Sequence, residues 1–155
     1  MASKQRPTSK PKKLVDYEEN KAIERAVLAW LESFPEKPGS VEYGYTDKEA
    51  GLAFATIQAA FIVNGPWILG GYRAQYQFEI LYRVIAANAD DRLTADEYLN
   101  TLAAWMMKNT PDPPEGVNWW KVNQTTGAAL LTMYENGSED HTIQMTLIYE
   151  VIPNG

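Results

Sequence analysis

The sequence predicts an α+β fold, a twisted antiparallel or mixed β-sheet with two α-helices packed on one face. Three observations carry it. Residues 72 to 84, "YRAQYQFEILYRV", alternate so regularly that Tyr72, Ala74, Tyr76, Phe78, Ile80, Tyr82 and Val84 share one face. The other face holds Arg73, Gln75, Gln77, Glu79, Leu81 and Arg83 and is polar except for Leu81, the signature of a strand with one buried side. A second alternation, "HTIQMTLIYEV", follows near the end of the chain, and two segments with apolar residues at helical spacing separate the β-rich stretches. The order helix, meander, helix, meander suits a sheet with both helices in one layer.

The elements follow in order. Residues 1 to 15 form a basic flexible or docking arm: the first thirteen hold Lys4, Arg6, Lys10, Lys12 and Lys13, no acid and almost nothing to bury. Such a segment does not repay its ordering entropy alone. A single α+β domain is expected over 16–155. From Asp16 to Phe34, Ile23, Val27, Trp30, Leu31 and Phe34 recur at three and four, an amphipathic helix closed by Pro35 and Pro38-Gly39. Val41, Tyr43 and Tyr45 mark a short strand, and "TDKEAG" a polar turn. Residues 52 to 57 and 60 to 63 read as two strands, with a bulge or turn at Asn64-Gly65-Pro66. Gly70-Gly71 launches the long strand, which is expected to run to about Ala87. The second helix is expected to start at a capping box formed by Thr94 and Glu97 and to pack Tyr98, Leu99, Leu102, Trp105 and Met106 on the sheet. Pro111, Pro113, Pro114 and Gly116 make a stiff linker. Three strands close the chain, the last two joined at Asn136-Gly137, a strong hairpin signal.

Composition narrows the function classes. The chain has 155 residues and no cysteine, which rules out disulfides, thiolate metal sites and cysteine nucleophiles within it. Its one histidine, His141, cannot build a multi-histidine metal site, and no nucleophile motif, P-loop or dinucleotide loop occurs. No apolar run is long enough to cross a bilayer as a helix. The amino terminus lacks the apolar core of a secretory signal, so synthesis and residence in the cytosol are expected. Asp90, Asp91, Asp96 and Glu97 lack the glycine and ligand spacing of a calcium loop, and acids at a helix start are what its dipole favours. No enzyme activity, metal or cofactor is expected.

The net charge of −6 conceals an asymmetry. Of 14 basic and 20 acidic residues, five basic ones lie in the first thirteen positions, leaving nine against 20, a balance of −11, for the rest. An acidic body disfavours binding to nucleic-acid phosphates. A basic arm before it suits docking on an acidic neighbour.

The segments "GGYRAQYQFEILYRV", "DDRLTADEYLNTLAAWM" and "YENGSEDHTIQMTLIYEV", in this order, resemble the minor capsid proteins of tailed phages of Gram-positive bacteria, a group that looks like tail terminators. The similarity covers roughly residues 17 to 152 and leaves the arm outside. The resemblance implies a virion protein at the head–tail junction, assembled in the host cytoplasm. It further implies a ring, usually a hexamer, that caps the tail tube, ends its polymerisation and meets the tube protein and a head-completion or connector protein. DNA would pass through the lumen unbound. A head-completion or connector-stopper role is the near alternative, and a small binding protein or hydrolase using His141 the distant one. From charge and alternation, the expected assembly interface comprises Lys10, Lys12, Lys13, Arg73, Glu79, Arg83, Trp119 and Trp120. Arg83 is expected on an exposed polar face, where reversal to Glu would impair assembly more than folding.

Overall fold

The computed structural model describes residues 13–44 and 50–153. Its seven strands are β1 (Lys13–Leu14), β2 (Val41–Tyr43), β3 (Gly51–Asn64), β4 (Tyr72–Ile85), β5 (Val117–Gln124), β6 (Ala129–Met133) and β7 (Ser138–Val151), and its helices are α1 (Tyr17–Glu32) and α2 (Ala89–Lys108). They form one mixed sheet in the order β1-β3-β4-β7-β5. β2 lies parallel on the β1 edge of β3, while β6 pairs with β7 beyond the end of β5. The α+β architecture expected from the sequence is therefore the one observed, and Lys13 and Leu14, in the segment read as the arm, belong to the sheet edge.

The β-rich stretch read as two strands is one fourteen-residue strand, β3. Register shifts between Thr56 and Gln58, Gln58 and Phe61, and Ile62 and Asn64 absorb the extra residues while pairing with β4 continues. Each bulge offsets the alternation, so the run of Ala, Ile and Gln shows no clean period of two. Gly65–Gly71 forms the turn into β4, held by Trp67 N–H donating to the Gly71 carbonyl at 2.9 Å and Gly70 N–H to that of Trp67 at 2.9 Å. Gly71 is needed here twice over: its φ is +85°, and a Cβ would lie 2.5 Å from the Val151 carbonyl oxygen.

α1 begins as expected at Asp16, whose carboxylate accepts the Glu19 N–H at 2.8 Å. α2 starts earlier than the expected Thr94 box. Its N-cap is Asn88, whose side chain accepts Asp91 N–H at 2.9 Å while the Asp91 carboxylate accepts Ala87 N–H at 2.8 Å. Thr94, already inside the helix, donates to the Asp90 carbonyl one turn back. Both signals follow the same capping chemistry, and the upstream one carries the extra turn. Gly137, with φ +90°, closes the β6–β7 hairpin. Its N–H donates to Tyr134 O and Tyr134 N–H donates to Ser138 O, a turn followed by a glycine bulge.

The core lies between the sheet and the helices. Ile23, Val27, Trp30 and Leu31 of α1 and Leu99, Leu102 and Met106 of α2 pack with Tyr76, Phe78 and Ile80 of β4 and Ile143, Met145, Leu147 and Tyr149 of β7. The helices are tied together by Trp30 Nε1–H donating to Asn109 O at 2.7 Å and by Phe34, whose ring sits 5.2 Å from Trp105 and 5.8 Å from Tyr98. At the start of α1, Glu19 accepts from the hydroxyls of Tyr72 and Tyr149, the latter at 2.7 Å. Burial, and then the Glu19 carboxylate, push both phenols well above their ordinary value, so both remain donors.

Leu102→Ala should lower the unfolding free energy by about 2–5 kcal/mol, read from urea denaturation. Leu131→Ala, on exposed β6, should stay within about 0.5 kcal/mol of the parent.

Candidate assembly surface

With both helices on one side, the opposite side of the sheet presents Arg73, Gln75, Gln77 and Glu79 of β4 beside Thr142, Gln144, Ile148 and Glu150 of β7. The β4–β7 register sets these side chains directly across from one another: Arg73 faces Glu150, Gln75 faces Ile148, and Glu79 faces Gln144. Arg73 Nη2 donates to Glu150 Oε1 at 2.9 Å, and its guanidinium lies 3.8 Å from the centre of the Trp120 indole. Alternation puts Trp120 on the face of Asn118, opposite to Trp119, and the β5–β7 register shifts between Trp119 and Lys121. Trp120 is 51% exposed, whereas Trp119 turns to the core side, edge-on to Tyr149, and donates from Nε1 to Pro111 O at 2.7 Å. The adjacent indoles therefore serve different ends, one anchoring the linker and one lying on the surface.

The residues expected at the interface divide accordingly. Lys10 and Lys12 lie outside the described residues. Lys13 is exposed at the sheet edge opposite Ile62, and Arg73, Glu79 and Trp120 share the open face. Glu79 is engaged weakly, accepting from Thr142 Oγ1 at 3.4 Å.

Arg83 differs. It is 8% exposed and donates to Asp140 from Nε at 2.7 Å and from Nη2 at 3.0 Å, a forked pair. The Tyr134 hydroxyl bridges the two at 3.1 Å and 2.7 Å, and the Tyr134 ring lies 4.7 Å from the guanidinium. The expectation that Arg83→Glu would spare folding is thereby corrected: it would set two carboxylates against each other in a buried site. Period-two alternation assigned Arg83 to the right face but does not reveal what covers that end of it.

On the other side of the same end lies a second polar group. His141, buried, has Nδ1 2.7 Å from Asp96 Oδ1 and Nε2 2.8 Å from Glu139 Oε1, and Arg92 Nε donates to both Glu139 oxygens at 3.2 and 3.1 Å. Asp96, read with its neighbours as helix-start chemistry, instead fastens α2 to β7. Both imidazole nitrogens are engaged and the residue is 1% exposed. Among the described residues, no group of three or more His, Cys, Asp or Glu side chains is arranged to hold a metal ion. Among the same residues, no helix is long and apolar enough to cross a membrane.

Burial alone would raise the Glu139 and Asp140 carboxyls, but the bonds from His141 and Arg92 to the first, and from Arg83 and Tyr134 to the second, hold both below the ordinary carboxylate range. Their contribution to stability is therefore complete above the unfolded value, about 4, and is lost as pH falls through the lowered folded values. Thermal unfolding followed from pH 7 to pH 3 should show this loss, and Asp140→Asn should flatten the acid limb. Arg83→Glu should cost at least about 3–5 kcal/mol, measured as a lowered urea midpoint.

No protein-family model matches the chain, and no curated protein sequence does. Among solved structures, the fold matches a chain from the virion of a native gene transfer agent particle at a TM-score of 0.62, over 87% of this chain and 99% of that one, at 12% identity. A second solved chain, 20% identical, covers 87% of this chain and 94% of its own at a TM-score of 0.45. At such identities the first likeness is one of fold.

Proposed function

We infer that this chain is a structural virion protein, a tail terminator whose copies form a ring, with six-fold symmetry, at the junction of tail and head. The observation that carries the reading is the end-to-end fold match to a component of a gene transfer agent virion, together with the sequence resemblance to phage minor capsid proteins, which rests on different information. The local chemistry is in keeping with it. His141, on which the hydrolase alternative is built, is held between two carboxylates inside the fold, and we assign no catalysis and no cofactor.

A ring built from one repeated heterologous contact needs two different complementary patches on each subunit. The open sheet face with Trp120, Arg73 and Glu79 is one surface of the right character, amphipathic and held by a rigid frame. The acidic balance of residues 14 to 155 suits a lumen through which DNA slides, because like charge denies phosphates a binding site. The partners proposed are other copies, the tail tube protein on one side and a head-completion or connector protein on the other.

Deleting the gene from the phage should leave filled heads beside detached tails longer than normal, seen by negative-stain electron microscopy. Free tails of normal length beside leaking heads would instead assign the chain to head completion, and unaltered particles would end the virion reading.

A further inference from the structure

The turn between β3 and β4 carries two aliphatic side chains, Ile68 and Leu69, that are exposed almost in full. The turn is nonetheless well tied. Besides its two backbone bonds, Trp67 Nε1–H donates to Asn64 Oδ1 at 3.2 Å, and Gly70 and Gly71 pass close against Pro153. Two adjacent aliphatics held in water on a fixed turn leave hydrophobic free energy ungained.

A matching receptor lies elsewhere on the chain. Beside α1, a groove of about 320 Å³ is walled by Tyr17, Leu28, Tyr43 and Phe54, with Lys21, Glu24 and Arg25 completing its lining. Its lining is mostly apolar. An apolar cavity of roughly 150 Å³ holds one benzene, so this groove has room for two four-carbon side chains. Ile68 and Leu69 are exposed and absent from the groove's lining, so the tip does not fill the groove of its own chain.

We propose that the Ile68–Leu69 tip of one copy seats in the Tyr17–Leu28–Tyr43–Phe54 groove of the next. Tip and groove are different surfaces on one subunit, so each copy gives one and receives one, the heterologous contact from which a cyclic ring is built. The occupant follows from the chain itself: it carries an exposed aliphatic pair that its own groove does not hold, and the groove has room for both side chains. The proposal rests on the ring reading above.

Because the chain has no cysteine, engineered pairs report contacts without background. Full-length protein bearing Leu69→Cys with Arg25→Cys, in particles assembled with it and in purified form, should give a ladder of disulfide-linked oligomers under mild oxidation. A mixture of the two single variants should give a linked dimer. Ile68→Asp with Leu69→Asp, away from the core, should keep the parent melting temperature and weaken self-association about a hundredfold or more. If the parent protein forms multimers or enters particles and yet neither ladder nor mixed dimer appears, or the double Asp variant associates like the parent, the contact is overturned and the ring reading stands. If the parent is absent from particles and stays monomeric at every concentration, the ring reading falls and the contact with it.

Discussion

The structure depends on one register. β4 and β7 pair antiparallel along their whole lengths, from Tyr72 opposite Val151 to Ile85 opposite Ser138, without a single shift. This alignment places Tyr76, Phe78 and Ile80 beside Leu147, Met145 and Ile143 under the helices, and by the same step sets Arg83 against Asp140 and Arg73 against Glu150 on the far side. A slip of one residue would exchange the faces of one strand, burying Gln and Glu in place of aromatic and aliphatic side chains. The two cross-strand ion pairs, one near each end of the pair, thus act as register marks: each is satisfied in one alignment alone. Whether a buried pair such as Arg83–Asp140 adds net stability is a separate matter, since desolvation offsets much of its attraction; breaking one partner is what costs.

Everything else hangs on that pair. β3 extends the sheet on one side through β4 and tolerates three register shifts, whereas β7 carries both β5 and β6 on its other edge. The helices lock to the same two strands by polar clamps as well as by the core: Glu19 of α1 to the hydroxyls of Tyr72 and Tyr149, and Asp96 and Arg92 of α2 to His141 and Glu139. With rigidity concentrated in the middle, the periphery is free to present the β3–β4 tip, β6 with exposed Leu130, Leu131 and Met133, and Trp120. That division suits a subunit whose work is to hold a shape while its edges make contacts.

What could be read from sequence follows this division. The faces of β4 and β7 were legible because an uninterrupted pair keeps period two, and α1 because Asp16 caps an apolar stripe of ordinary spacing. β3 was split because bulges break the period that identifies a strand, and α2 was begun late because Thr94-x-x-Glu97 and Asn88-x-x-Asp91 are competing forms of one capping signal. The polar contacts were the least accessible. Arg83 and Asp140 are 57 positions apart, and His141 and Asp96 45, and no periodicity within one segment reveals a partner in another. Arg83 therefore looked like a surface charge, while Trp120 was recognisable as one of two adjacent indoles on opposite faces. The projecting Ile68–Leu69 tip follows the Asn64-Gly65-Pro66 break, and no local pattern shows that its side chains stay in water.

The most direct measurement is a cryo-electron microscopy reconstruction of the head–tail junction in intact particles. The ring reading predicts this α+β subunit at one level between head connector and tail tube, six copies joined by a single repeated contact. Copies stacked along the length of the tube, or no density into which the fold can be placed at the junction, would contradict it.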